Sequence, residues 1–81
     1  MITAMVLLKK VDPDTNMNRW YMVTVQPTLF DTVAVVYAWG SRTTGAQQVR
    51  AWPAESEAAA QELAGKLVER KLKRGYVVNH P

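Results

Sequence analysis

The apolar residues of this chain change their spacing once. Between Met5 and Trp52 they gather in four short runs of strand length, three of which set distinct residue sets on alternate positions, and from Ala58 to Lys73 they recur every three to four positions. A strand sends successive side chains to opposite faces and a helix gathers them on one stripe, so this single change means strands first and one helix last. That order describes an α+β domain: an antiparallel four-stranded sheet followed by one C-terminal helix packed on one face. It excludes an alternating α/β domain with a parallel sheet.

The boundaries follow from the turn residues. Met5 to Lys10 has strand length and runs into Asp12-Pro13-Asp14-Thr15-Asn16, a cluster that favours turns. Arg19 to Gln26 alternates Tyr21, Val23 and Val25 with Trp20, Met22 and Thr24, and Pro27 ends it because proline cannot donate to a ladder. Thr32 to Gly40 sets Val33, Val35, Tyr37 and Trp39 against Ala34, Val36 and Ala38. Ser41 to Ala46 suits a hairpin loop, and Gln47 to Trp52 alternates again before Pro53.

For the helix, Ser56 stands as N-cap, Glu57 complements the positive first turn, and Gly75 fits a left-handed C-cap. Ala60, Leu63, Ala64, Leu67 and Leu72 form its apolar stripe. Lys71 lies on the same stripe, where its stem packs while the ammonium reaches water. If the small residues Ala34, Ala38, Val49 and Ala51 lie beneath this helix, the opposite face presents Tyr37, Trp39, Gln48, Arg50 and Trp52 to solvent.

An 81-residue chain supports one compact domain, 1–81, with a core at about 5–76 and a tail at 77–81. The absence of cysteine removes disulfides, thiolate zinc sites and a thiol nucleophile. His80, the one histidine, sits beside the C-terminal Pro81 and is expected to do no chemistry. The acids Asp12, Asp14 and Asp31 are accounted for by turns, and Glu55, Glu57, Glu62 and Glu69 by the helix. With no phosphate loop, metal-ligand spacing or nucleophile-and-base pair, no catalytic residue, metal or cofactor is expected, and the chain reads as a binding module and not an enzyme. The run Met1 to Leu8 is too short to span a bilayer, and Lys9 and Lys10 follow it where a signal peptide needs them before, so a cytoplasmic protein with no membrane partner is expected. Ten Lys and Arg against seven Asp and Glu leave a net charge of +3, which tilts the surface towards anionic partners.

One constellation adds to this reading. A strand ends in Trp39-Gly40, a short polar turn leads to Gln47, and a strand and a Ser-capped helix with Ala59 lead to Lys71 and Gly75-Tyr76. The order and spacing resemble a WGR domain over about Lys9 to Tyr76. The resemblance implies a sheet with a flanking helix, as in the DNA-dependent poly(ADP-ribose) polymerases and in short bacterial proteins. It also implies contact with broken DNA, with Trp39 packing at the end of the duplex. The third motif position departs: Ser41 stands where the family has arginine, and Arg42 follows one residue later. Thr43 replaces the family's usual turn glycine, with Gly45 two positions on.

The candidate nucleic-acid-binding residues are therefore Trp39 and Gly40 of the motif, Arg42, Gln48 and Arg50 of the same hairpin, and Arg70 and Arg74 at the helix end. An indole face stacks on any base, and a guanidinium pairs with phosphate oxygens. Trp39 reads equally as a core residue at a strand end. Bases at a helix C-terminus already complement its dipole, and Glu62 with Lys66 and Glu69 with Lys73 pair at i, i+4, which leaves Arg70 and Arg74 over. The expected function is binding of DNA, ahead of RNA, at ends or junctions without sequence specificity. The alternative is a protein-interaction adaptor that uses the same aromatic face, the chain being a monomer or a weak homodimer.

Overall fold

A computed structural model describes residues 5–28 and 33–79. Thr32, where the third strand is expected to begin, lies outside these residues, as do Asp31, His80 and Pro81. The elements are β1 (Val6–Asp12), a short 3-10 turn (Pro13–Thr15), β2 (Met17–Pro27), β3 (Val33–Ser41), β4 (Gln47–Ala54), α1 (Glu57–Lys73) and β5 (Val77–Val78). The strands form one antiparallel sheet in the order β4-β3-β2-β1-β5.

Local chemistry sets each junction. The Asp12 carboxylate accepts from the Asp14 N–H at 3.1 Å, Pro13 opens the 3-10 turn, and Asn16 closes it in the left-handed region at φ 55°. At the β3–β4 turn the Thr44 N–H donates to Ser41 Oγ at 3.3 Å and the Gly45 N–H to the Ser41 carbonyl at 2.9 Å. Ser56 caps α1 by accepting from the Ala59 N–H at 3.1 Å. At the other end the Tyr76 N–H reaches the Lys71 carbonyl and the Gly75 N–H that of Leu72, with Gly75 at φ +96°, which is a Schellman motif.

The sheet has five strands where the sequence pattern predicts four. After the helix the chain returns along β1, with Val77 opposite Lys9, Val78 opposite Leu8, and the Asn79 N–H bonded to the Leu7 carbonyl at 2.8 Å. Two residues are too few to display a period of two, so this strand left no pattern to read.

The two faces of the sheet are the reverse of the expectation from side-chain size. Helix α1 covers Leu8, Tyr21, Val23, Val25 and Val35, all buried, together with its own Ala60 and with Tyr76. Trp39 lies opposite Tyr21, Tyr37 opposite Val23 and Val35 opposite Val25, so Tyr37 and Trp39 belong to the covered face and pack against this core. Ala34, Ala38, Val49 and Ala51 lie on the other face, where Ala38 is flanked by Met22 and Val49. The reason is area: an aromatic ring buries about 150–250 Å², at roughly 25 cal/mol for each Å² removed from water, and an alanine far less. Of the predicted helix stripe, Ala60, Leu63, Ala64 and Leu67 meet the core and Val68 joins them, whereas Leu72 stays exposed.

Candidate functional site

Four aromatic rings meet at the end of the core where β3 runs into its turn. Tyr37 and Trp39, two apart on β3, stack with centroids 5.8 Å apart and planes 13° from parallel. Tyr21, on the neighbouring strand, lies 6.4 Å from Tyr37 and 6.5 Å from Trp39. Tyr76, delivered by the turn after α1, meets Tyr21 edge-on at 6.4 Å. These separations are those of attractive ring pairs.

Cations surround this cluster. Lys71, in the last turn of α1, places Nζ 4.7 Å from the Tyr21 ring centre and 5.5 Å from that of Tyr76. Lys10 reaches across from β1, lies 5.9 Å from the Tyr76 ring and donates to the Arg74 carbonyl at 2.7 Å, so its ammonium complements the helix C-terminus. Among the described residues, the ion pairs within 4 Å join Glu62 to Lys66 and Glu69 to Lys73, as the spacing predicts, and none engages Lys71, Arg19, Arg70 or Arg74.

Two members of the group, Lys71 and Tyr21, are displaced from their ordinary pKa values. Burial holds the Lys71 ammonium below its ordinary pKa, and Arg74, Arg19, Arg70 and Lys10 push it further the same way. Burial raises the Tyr21 phenol, Tyr37 and Tyr76 add to the rise, and Arg70 opposes it. An anion beside Lys71 would oppose both effects on its ammonium.

The residue positions open onto a shallow pocket of about 200 Å³ whose wall includes Arg19, Trp39, Ser41, Gln48, Lys71 and Tyr76. Trp39 and Gln48, both candidates from the sequence, face each other across β3 and β4. Gly40 lines the pocket too, and its lack of a side chain has a steric cause: a Cβ there would come within 2.5 Å of the Ala46 carbonyl oxygen and 2.8 Å of Trp20 Nε1. Arg50 is exposed on β4 opposite Tyr37, outside the pocket wall. Arg42 is exposed in the turn, where its backbone N–H bonds the Asn18 carbonyl at 2.8 Å, and it too lies outside the wall. Arg70 and Arg74 join the cation group through their fields on Tyr21 and Lys71.

Three members were not candidates on sequence. The place of Lys71 on the helix stripe predicts only a packing stem, and Lys10 and Arg19 sit on strands with no local sign of a site. Arg19 belongs here because the register sets it directly opposite Ser41. No signal within the chain gives that register before the fold is known.

A family model for the WGR domain matches residues 4–80. A protein of Sinorhizobium fredii (strain NBRC 101917 / NGR234), described as uncharacterized protein y4dW, is 33% identical over 70 residues, covering 85% of this chain and 33% of that protein. The chain thus spans about one third of the length of that relative. No solved structure matches the chain.

Proposed function

The chain belongs to the WGR domain family, a family of nucleic-acid-binding modules, and on that premise we propose that it is a non-catalytic module for DNA ends or junctions. The observation that supports this reading is the ring of cations around the Trp39 pocket that have no acid partner among the described residues: Arg19 and Lys71 in its wall, with Lys10, Arg70 and Arg74 beside them. In this reading the exposed part of the Trp39 indole stacks on a terminal base or sugar, a contact of about 1–3 kcal/mol per base. The cations take up phosphates, which gives affinity but no base discrimination. Gln48 offers its amide to whatever lies on Trp39.

The test is chemical-shift titration of the labelled protein with a blunt-ended duplex and with a closed hairpin, at low and moderate salt. Shifts centred on Trp39, Arg19 and Lys71, larger for the open end and diminished by salt, are the expected result. No perturbation by either DNA at low salt overturns the proposal. Binding of a protein partner that salt leaves unaffected points to the adaptor reading instead.

A further inference from the structure

Strand β4 is an edge strand, and no described element lies along its outer side. Its bonding direction can be read from the hairpin. The Ser41 N–H donates to the Ala46 carbonyl at 2.9 Å, which makes 41 and 46 a hydrogen-bonded pair. Such pairs alternate along an antiparallel ladder, so Gln48, Arg50 and Trp52 direct their backbone groups to β3, and Gln47, Val49, Ala51 and Pro53 direct theirs outward. Pro53 is accommodated because the N–H it lacks would point away from the sheet. The outer edge therefore offers unpaired N–H groups at 47, 49 and 51, flanked by Val49, 64% exposed, and Trp52, 52% exposed.

We propose that this edge pairs antiparallel with the same edge of a second copy, about a twofold axis through Ala51. In that register Ala51 exchanges both bonds with its counterpart, and each Val49 N–H meets the other copy's Pro53 carbonyl, so no outward donor between 49 and 53 is wasted. Arg50 then stands opposite Trp52 of the other copy, and Trp52 opposite its Arg50, at the close-approach positions where cross-strand side chains interact most. No acid pairs with Arg50 among the described residues, so it is available for this contact. Centring on Arg50 sets two arginines face to face, and centring on Val49 moves Trp52 opposite the turn residue Ala46. The sequence of the edge is thus self-complementary in the register centred on Ala51. The dimer continues the sheet and brings both Trp39 pockets to the same face.

Sedimentation of the purified chain from micromolar to millimolar concentration tests this, with three variants. The unmodified chain dimerises with concentration. Trp52→Arg, which sets like charges opposite, weakens the dimer by roughly tenfold or more. Val49→Pro removes an outward N–H without touching the β3 ladder, so it abolishes the dimer while the circular dichroism stays native. Ala51→Cys forms a disulfide-linked dimer on mild oxidation, because the paired Cα atoms would lie about 5.5 Å apart, within disulfide reach. Val49→Cys does not, since its counterpart lies four residues along the strand. A chain that stays monomeric throughout overturns the proposal and leaves the edge to a foreign strand. A dimer insensitive to Trp52→Arg and Val49→Pro, or crosslinked as readily through position 49 as through 51, overturns it as well.

Discussion

Replacing Gly40 by alanine is expected to destabilise the fold far more than one methyl group suggests. The added Cβ would meet the Ala46 carbonyl oxygen at 2.5 Å and the Trp20 indole at 2.8 and 2.9 Å. The oxygen is backbone and cannot swing aside, and it also holds the Ser41 N–H at 2.9 Å. Relief requires opening the β3–β4 turn, losing a bond worth about 0.5–1.5 kcal/mol, and displacing a half-buried indole at roughly 1–3 kcal/mol of overpacking. The sum is about 2–4 kcal/mol, and at roughly 4–8 °C per kcal/mol for a domain this small the melting temperature falls by about 8–32 °C. Gly65→Ala is the control: nothing lies within 4 Å of its Cβ, and in the helix interior alanine is better by about 1 kcal/mol, so the midpoint rises. Thermal melts of both variants, with the Trp20 indole resonance as a local probe, decide it. A Gly40→Ala midpoint within about 4 °C of the parent, with that resonance unmoved, refutes the steric argument.

Two further outcomes follow from the cation cluster. Lys71 titrates below its ordinary 10.5 in the folded chain, so in the window just below 10.5 the unfolded chain binds more protons and stability rises with pH. Tyr21 titrates above 10.0, so its contribution is intact below that value and is lost as pH rises through the folded pKa. Urea unfolding at stepped pH should show the rise in the parent below pH 10.0, before the Tyr21 contribution begins to fall, and lose it in Lys71→Met, which keeps the stem and removes the charge. On binding, Arg19→Ala should weaken affinity for a blunt duplex and reduce the salt slope by about one, whereas Arg42→Ala should do so less, as fluorescence anisotropy at several salt concentrations would report. Equal effects of the two substitutions would count against the Trp39 pocket as the contact.

Much of the fold was legible because the features that produce it are local. Asp12 sits in the turn its neighbours predict, Ser56 caps the helix it precedes, Gly75 adopts the left-handed conformation, and both i, i+4 ion pairs form. The choice of covered face was not legible from β3 alone. Both faces of that strand are apolar, and alternation separates two faces without saying which one the helix meets. The decision lies with β1 and β2, where Leu8, Tyr21, Val23 and Val25 form the larger apolar surface, and with the register that joins Tyr21 to Trp39 and Val25 to Val35. Register is a non-local property, and the same limit hid Arg19, whose membership in the site is decided by its partner across the ladder.

That partner is also where the chain departs from its family. Position 41 holds serine where the motif has arginine, and the arginine one residue later does not line the pocket. Ser41 uses its hydroxyl on the Thr44 N–H, which closes the turn locally. Residues directly opposite on antiparallel strands share a face, with Cβ atoms about 5 Å apart, so a guanidinium from position 19 reaches the volume that one at position 41 would serve. Both residues line the wall beside Trp39. The serine therefore removes a cation from β3 without removing it from the pocket, because β2 supplies one at the same height. The sequence motif reads as broken, while the site keeps a guanidinium next to its indole.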